Sequence, residues 1–275
     1  MQMLSMKSLS GLVAVALMAS PLTALAVDRY GILLLDRTGS MQVNRVTGHT
    51  RCYDSIVQAH DRVNAFYDTN RGTHLSIWQF DGASVTAYPG GFIPKVNRQQ
   101  AHAIVDAIGP NNCNGGSTNL ADAMCSAGKH LQDLNVGRAY LHVATDGYEN
   151  SSIGPCAGPS GDPDVPGSWQ YKVVEAMDVN FNVVVNTDYF VSSTPLELNA
   201  TAPANSDVTF SIWASEQRPL PGPVSLATCT DTVQCEGRLF RLLASLSGGN
   251  YYIMQDGNSQ FPCAGSQCPA PEPKW

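Results

Sequence analysis

Two periods of apolar positions run along this chain, and the changes between them lay out its elements. Ile32, Leu33, Leu34 and Leu35 form a run too short for a helix core. The run suits a strand from about Arg29 to Asp36, buried on both faces of a parallel sheet. From about Cys52 to Asp68 the apolar positions Ile56, Val57, Val63, Ala65 and Phe66 return at helical spacing. His60 falls on the same face and is expected to pack there rather than to bind a metal. Leu75 to Phe80 and Ala83 to Tyr88 read as two strands joined by the tight-turn pair Asp81-Gly82, hence a hairpin. Helical patterns follow over Asn97 to Ile108 and Asn119 to Leu134. Ala139 to Thr145 is another buried strand. Tyr171 to Met177 fits helix or strand equally.

Further on, Phe181 to Val185 reads as a strand, Val208 to Trp213 as one more without a fixed neighbour, and the stretches 196–207 and 218–231 as loops. Glu236 to Ser247 is helical, with Leu239, Phe240, Leu242, Leu243 and Leu246 on its buried side and Gly248-Gly249 as its cap. Asn250 to Gln255 closes the list of strands. Strands alternating with helices predict an α/β fold. It is a Rossmann-like, doubly wound, mostly parallel sheet with one antiparallel edge hairpin.

Composition adds an export signal. Lys7 is the only charge before Asp28, an apolar stretch runs from Leu9 to Ala19, and Ala24-Leu25-Ala26 is a small-x-small cleavage site. Residues 1–26 are therefore expected to be a signal peptide, 27–257 one domain, and 258–275 a Pro- and Cys-containing tail. No second long apolar run follows, so no membrane span is expected in the mature chain. The chain is acidic, −7 overall, and has no basic run, which argues against nucleic acid as a partner. Eight cysteines in an exported chain imply disulfides, in an extracellular or periplasmic setting. Cys229–Cys235 and Cys263–Cys268 are close enough to close local loops. Asn150 and Asn199 stand in glycosylation sequons, which also arise by chance.

The chemistry gathers at strand ends. Asp36 ends the first strand, and Thr38 and Ser40 follow it, with Gly39 expected to let the backbone turn sharply. Gly116-Ser117-Thr118-Asn119 precedes a helix, and Thr145-Asp146-Gly147 ends a later strand. Open α/β sheets bind ligands at this edge. Carboxylates and hydroxyls without Cys or His are ligands for a hard cation, and two carboxylates would leave it electrophilic.

The motif Asp36-x-Thr38-x-Ser40, with Thr118 in a Gly-Gly-Ser-Thr-Asn loop and Asp146 in Thr-Asp-Gly, resembles the metal-ion-dependent adhesion site (MIDAS) of von Willebrand factor type A (VWA) domains. The order of elements over most of the mature chain resembles that family too. The resemblance implies a secreted binding and cell-adhesion module holding Mg2+ (or Mn2+ or Ca2+). Asp36, Ser40 and Thr118 would lie on the metal, and Thr38 and Asp146 would be held directly or through water. The usual second residue of the motif is Ser, and Thr38 departs from it. Ser117 is the alternative to Thr118. The implied partner is a protein offering a carboxylate, and binding would be lost in chelator or with Asp36→Ala or Asp146→Ala.

Two other readings stand beside this one. One is a disulfide-stabilised extracellular structural component with metal-independent contacts. The other is a metal-dependent hydrolase. Catalysis is disfavoured because Thr38 stands where an acid/base Asp would be needed, and neither Gly-x-Ser-x-Gly nor His-Glu-x-x-His occurs. The expectation is therefore a protein that is not an enzyme. Loops 42–51, 111–117 and 147–168 would ring the metal. Cys52, Cys113 and Cys156 lie in or beside them, so disulfides are expected to shape the rim.

Overall fold

The computed structural model describes residues 28–68, 72–82, 84–88, 91–178, 183–192, 229 and 232–257. The expected signal peptide, the strand expected at Val208–Trp213, the loops expected at 196–207 and 218–228, the Asn199 sequon, the expected Cys263–Cys268 pair and the tail lie outside these residues.

Strand β1 (Tyr30–Asp36) is the centre of the sheet because its apolar run serves both faces. Ile32 and Leu34 enter one core, whereas Leu33 and Leu35 enter the other. Around it lie β2 (His74–Asp81), β3 (Ser84–Ala87), β4 (Ile93–Pro94), β5 (Ala139–Thr145), β6 (Val183–Val191) and β7 (Tyr251–Gln255). The parallel strands run in the order β2-β1-β5-β6-β7, and β3 and β4 pair antiparallel with β2. The helices are α1 (Arg51–Asp68), α2 (Arg98–Ile108), α3 (Leu120–Asp133), α4 (Trp169–Asp178) and α5 (Thr232–Ser247). Residues of α1 and α2 pack with Leu33 and Leu35; those of α3, α4 and α5 pack with Ile32 and Leu34. This is the doubly wound α/β sheet expected, hairpin included. No helix among the described residues is long and apolar enough to cross a membrane.

Several boundaries differ from the pattern. Segment 171–177 resolves as helix α4, which starts at Trp169, a side chain fully buried in the core. Strand β6 does not stop at Val185; it continues through Asn186, Thr187 and Asp188 to Val191, buried throughout. Its polar residues stay because tertiary partners satisfy them. Asp188 accepts a forked pair from Arg62 of α1 (Nε 3.1 Å, Nη2 2.6 Å) and a bond from His142 Nε2 at 2.8 Å. Burial pushes the Asp188 carboxyl up, but Arg62 and then His142 outweigh it and hold the group below the ordinary carboxylate range. Burial also lowers the His142 pKa, against the pull of Asp188.

Helix α5 begins before Glu236, at Thr232, and the Cys229–Cys235 disulfide spans its start as expected. Leu246, expected on the buried side of α5, is only partly covered. The C-terminal turn closes through Gly249 N–H on Ala244 O at 2.8 Å. His60 is not simply packed: it is half-buried between α1 and α2, with Nδ1 2.8 Å from His102 Nδ1 and Nε2 3.2 Å from Asp106.

Candidate metal centre

Strand order reverses between β1 and β5, and the carboxyl ends of those two strands carry the expected acids. The register sets Leu35 beside Ala144, so the next residues, Asp36 and Thr145, are neighbours. Asp146 follows directly. Such a switch point is where open α/β sheets place their ligands.

The side chains form one hydrogen-bonded chain. Thr145 Oγ1 donates to Asp36 Oδ2 at 2.7 Å. Asp36 Oδ1 accepts from Thr38 N at 2.9 Å and from Thr38 Oγ1 at 2.6 Å. Thr38 Oγ1 lies 3.0 Å from Ser40 Oγ, which donates to Asp146 Oδ1 at 3.1 Å. Four of the five expected residues, Asp36, Thr38, Ser40 and Asp146, are thus joined side chain to side chain. Thr118 stands on the adjoining loop, buried, and is held through its backbone. Its N–H donates to Asn150 Oδ1 at 2.7 Å, and its carbonyl accepts from Asn150 N and Ser151 N. Ser117, the alternative, sits against Gly82, its carbonyl accepting from Gly82 N–H at 2.7 Å. The Asn150 side chain, the acceptor of the sequon, therefore already serves the Thr118 loop.

The loops around the ring are cross-linked. Gly39, expected to let the backbone turn sharply, opens a short 3-10 turn without a positive φ. Its role is close approach: its N–H donates to Gly115 O at 2.8 Å, and a Cβ would sit 3.2 Å from that oxygen. Gly115 N–H returns a bond to Arg37 O, and Gln42 Nε2 donates to Cys113 O. The Cys52–Cys113 disulfide then ties the start of α1 to the same loop. Cys125–Cys156 ties the loop after Asp146 to α3. Disulfides do shape the rim.

The electrostatics are unbalanced. Burial, then the charge of Asp146, push the Asp36 carboxyl up to about 7, against hydrogen bonds from Thr38 and Thr145. No cation hydrogen-bonds Asp36 among the described residues. Asp146 is pushed up by burial and partly restored by Arg51, whose Nη1 donates to its Oδ2 at 3.1 Å. Glu236 of α5 lies just beneath, where a Cβ on Gly147 (φ +82°) would meet its Oε2 at 2.7 Å. Burial and then Asp146 push the Glu236 carboxyl well up.

Sequence reasoning missed Thr145, Arg51 and Glu236 as parts of this site. Thr145 could have been found as the hydroxyl residue directly before Asp146, at the end of the strand beside β1. Arg51 and Glu236 reach the site over long sequence separations and leave no local signature.

The oxygen-only donor set fits a hard divalent cation. Fold and ring together define an open α/β protein with an acid-and-hydroxyl centre at its switch point. No family model and no curated protein matches the sequence. Solved structures with a similar fold include the SpRpn10 VWA domain, with 9% identity and TM-score 0.48 over 86% of this chain and 91% of that one. The PilB minor pilin from Streptococcus sanguinis is similar with 14% identity and TM-score 0.43 over 59% of this chain and 50% of that one. A von Willebrand factor type A protein from Catenulispora acidiphila is similar with 15% identity and TM-score 0.43 over 80% and 43%. The chain spans about half the length of the pilin chains it matches.

Proposed function

We propose that this chain is a secreted VWA-type binding module whose switch-point site holds a divalent cation and docks an acidic group of a protein partner. The observation that carries this reading is the continuous chain Thr145–Asp36–Thr38–Ser40–Asp146, which gathers two carboxylates and three hydroxyls on one buried point. Asp36, Thr38, Ser40, Thr118 and Asp146 would hold the ion. A bound Mg2+ or Mn2+ supplies a Lewis-acidic contact for an incoming carboxylate. The protein's own part is to present oxygens already oriented by hydrogen bonds and to fix the surrounding loops by two disulfides.

Binding rather than catalysis suits the residues present. Ser40 Oγ is committed to Asp146, and no histidine hydrogen-bonds any of the five among the described residues.

Calorimetric titration of the chelator-treated protein with Mn2+ tests the metal, and partner capture with and without Mg2+ tests the docking. Binding of both kinds is expected for the wild type and for neither Asp36→Ala nor Asp146→Ala. Capture that persists undiminished in chelator would refute the metal-mediated reading.

A further inference from the structure

One guanidinium connects this site to the far edge of the sheet. Arg51 is the first residue of α1, and its side chain is only 7% exposed. A helix N-terminus disfavours a cation, so carboxylates rather than helix electrostatics hold it there. Its Nη1 donates to Asp146 Oδ2 at 3.1 Å. Its Nε and Nη2 donate to Asp256 Oδ1 and Oδ2 at 3.0 and 2.7 Å, and Nη2 reaches Ser192 Oγ at 2.9 Å. Asp256 directly follows β7. Its N–H donates to Val191 O, and its carbonyl accepts from Val46 N at 2.7 Å. Arg45 reinforces the junction, with Nη2 on Gln255 O at 2.9 Å and Nε 3.6 Å from Asp256.

We propose that Arg51 is a built-in competitor for Asp146 that lowers the site's affinity for a divalent cation, and that Asp256 restrains this competition. The proposal rests on the reading of the site as a cation centre. Asp146 divides its oxygens between Ser40 and Arg51, so a metal approaching from the Ser40 side meets a carboxylate already half neutralised. The guanidinium also repels a second cation. Asp256 binds it through two bonds against the single one from Asp146, drawing its charge away from the site. The end of β7 thereby sets the strength of a site at the end of β1.

The test is Mn2+ titration of the full chain as wild type, Arg51→Gln, Asp256→Asn and Asp146→Ala, with thermal unfolding in chelator read in parallel. Arg51→Gln is expected to bind Mn2+ about tenfold tighter, from loss of one nearby positive charge. It should do so even as its metal-free melting temperature falls. Asp256→Asn is expected to bind several-fold more weakly, because its Arg51 is no longer restrained. A purely structural arginine gives the opposite result for Arg51→Gln, weaker binding together with lower stability, and that outcome overturns the proposal. If Arg51→Gln does not fold, Asp256→Asn decides: unchanged or tighter binding overturns the proposal. Folded wild type and variants that all ignore Mn2+ refute the cation centre itself, and the proposal with it. A silent wild type beside a binding Arg51→Gln supports both.

Discussion

Two aspartates are buried in strands of this sheet, and their surroundings differ in the charge of the groups around them. Asp188, midway along β6, is wrapped by the Arg62 guanidinium and by His142. Asp36, at the end of β1, is wrapped by a backbone N–H and the hydroxyls of Thr38 and Thr145, with Asp146 nearby as a second acid. Both are fully buried. Yet the carboxyl of Asp188 is held below the usual range, whereas that of Asp36 is pushed up to about 7. Hydrogen bonds orient a carboxylate, but neutral donors do not replace the hydration of its charge. The first cluster is complete as it stands and fastens α1 to the sheet. The second is oriented by neutral donors at Asp36, and Arg51 reaches only its second acid, Asp146; on the proposed reading a bound cation would supply the charge that Asp36 lacks.

The widest separation should come from the same isosteric change at each position. Asp188→Asn leaves Arg62 charged, buried and unpaired, and is expected to cost about 3–5 kcal/mol of stability. Asp36→Asn keeps an acceptor for Thr38 and removes an uncompensated charge. At about pH 5, where the buried Asp36 is protonated, the variant's metal-free stability is expected to stay within about 1 kcal/mol of the wild type, while Mn2+ binding at about pH 7 is lost. Urea unfolding in chelator, paired with Mn2+ titration, reads both. Equal destabilisation by the two changes would erase the distinction.

Metal should close the gap from the other side. At a hundredfold excess over its dissociation constant, a cation bound only by the folded state adds about 2.7 kcal/mol. That gain is expected in the wild type as a rise in melting temperature on adding Mn2+ and removed by chelator. It should be absent in Asp36→Asn.

How much of this contrast was legible in sequence depends on the range of the contacts. The motif around Asp36 could be read because its members lie within a few residues of one another and of a strand end. Asp146 could be read because it repeats that position on a second strand. The core cluster could not. Asn186-Thr187-Asp188 looks like the end of a strand, and Arg62, 126 residues away, together with His142 explains why Asp188 stays inside. Arg51 was obscured for the same reason: its carboxylates stand 95 and 205 residues further on. Periodicity reports which face a residue occupies, and cannot report which distant charge meets it there.

The two clusters also respond to pH with opposite signs. Asp36 has a folded pKa above its unfolded value, so its contribution is fully present below about pH 3.9 and is lost as pH rises through about 7. Asp188 has a folded pKa below its unfolded value. Its contribution is present above about pH 3.9 and is lost as pH falls through the lower folded value. His142, also lowered, acts in the same direction as Asp188, starting below about pH 6.5. Subtracting Asp36→Asn from wild type isolates the first effect. In chelator, that difference is expected to shift in favour of the wild type as pH falls from about 8 to 5. A flat difference would mean that Asp36 already has its counter-charge.

The smallest effect concerns a single neutral donor. Thr145→Val removes the hydroxyl on Asp36 Oδ2 and also the acceptor for Gly147 N–H, 2.9 Å away. A hydroxyl bond of this kind contributes about 1 kcal/mol, which corresponds to about a fivefold loss in Mn2+ affinity at pH 7. The hydroxyl lowers the pKa of Asp36, so its removal raises that pKa further and strengthens proton competition with the metal. The loss should therefore shrink when the titration is repeated at about pH 8.5, where the proton no longer competes. If the loss is the same at both pH values, Thr145 acts by aiming Asp36 alone. The difference between the two aspartates would then rest on Asp146 and burial, without the neutral donors.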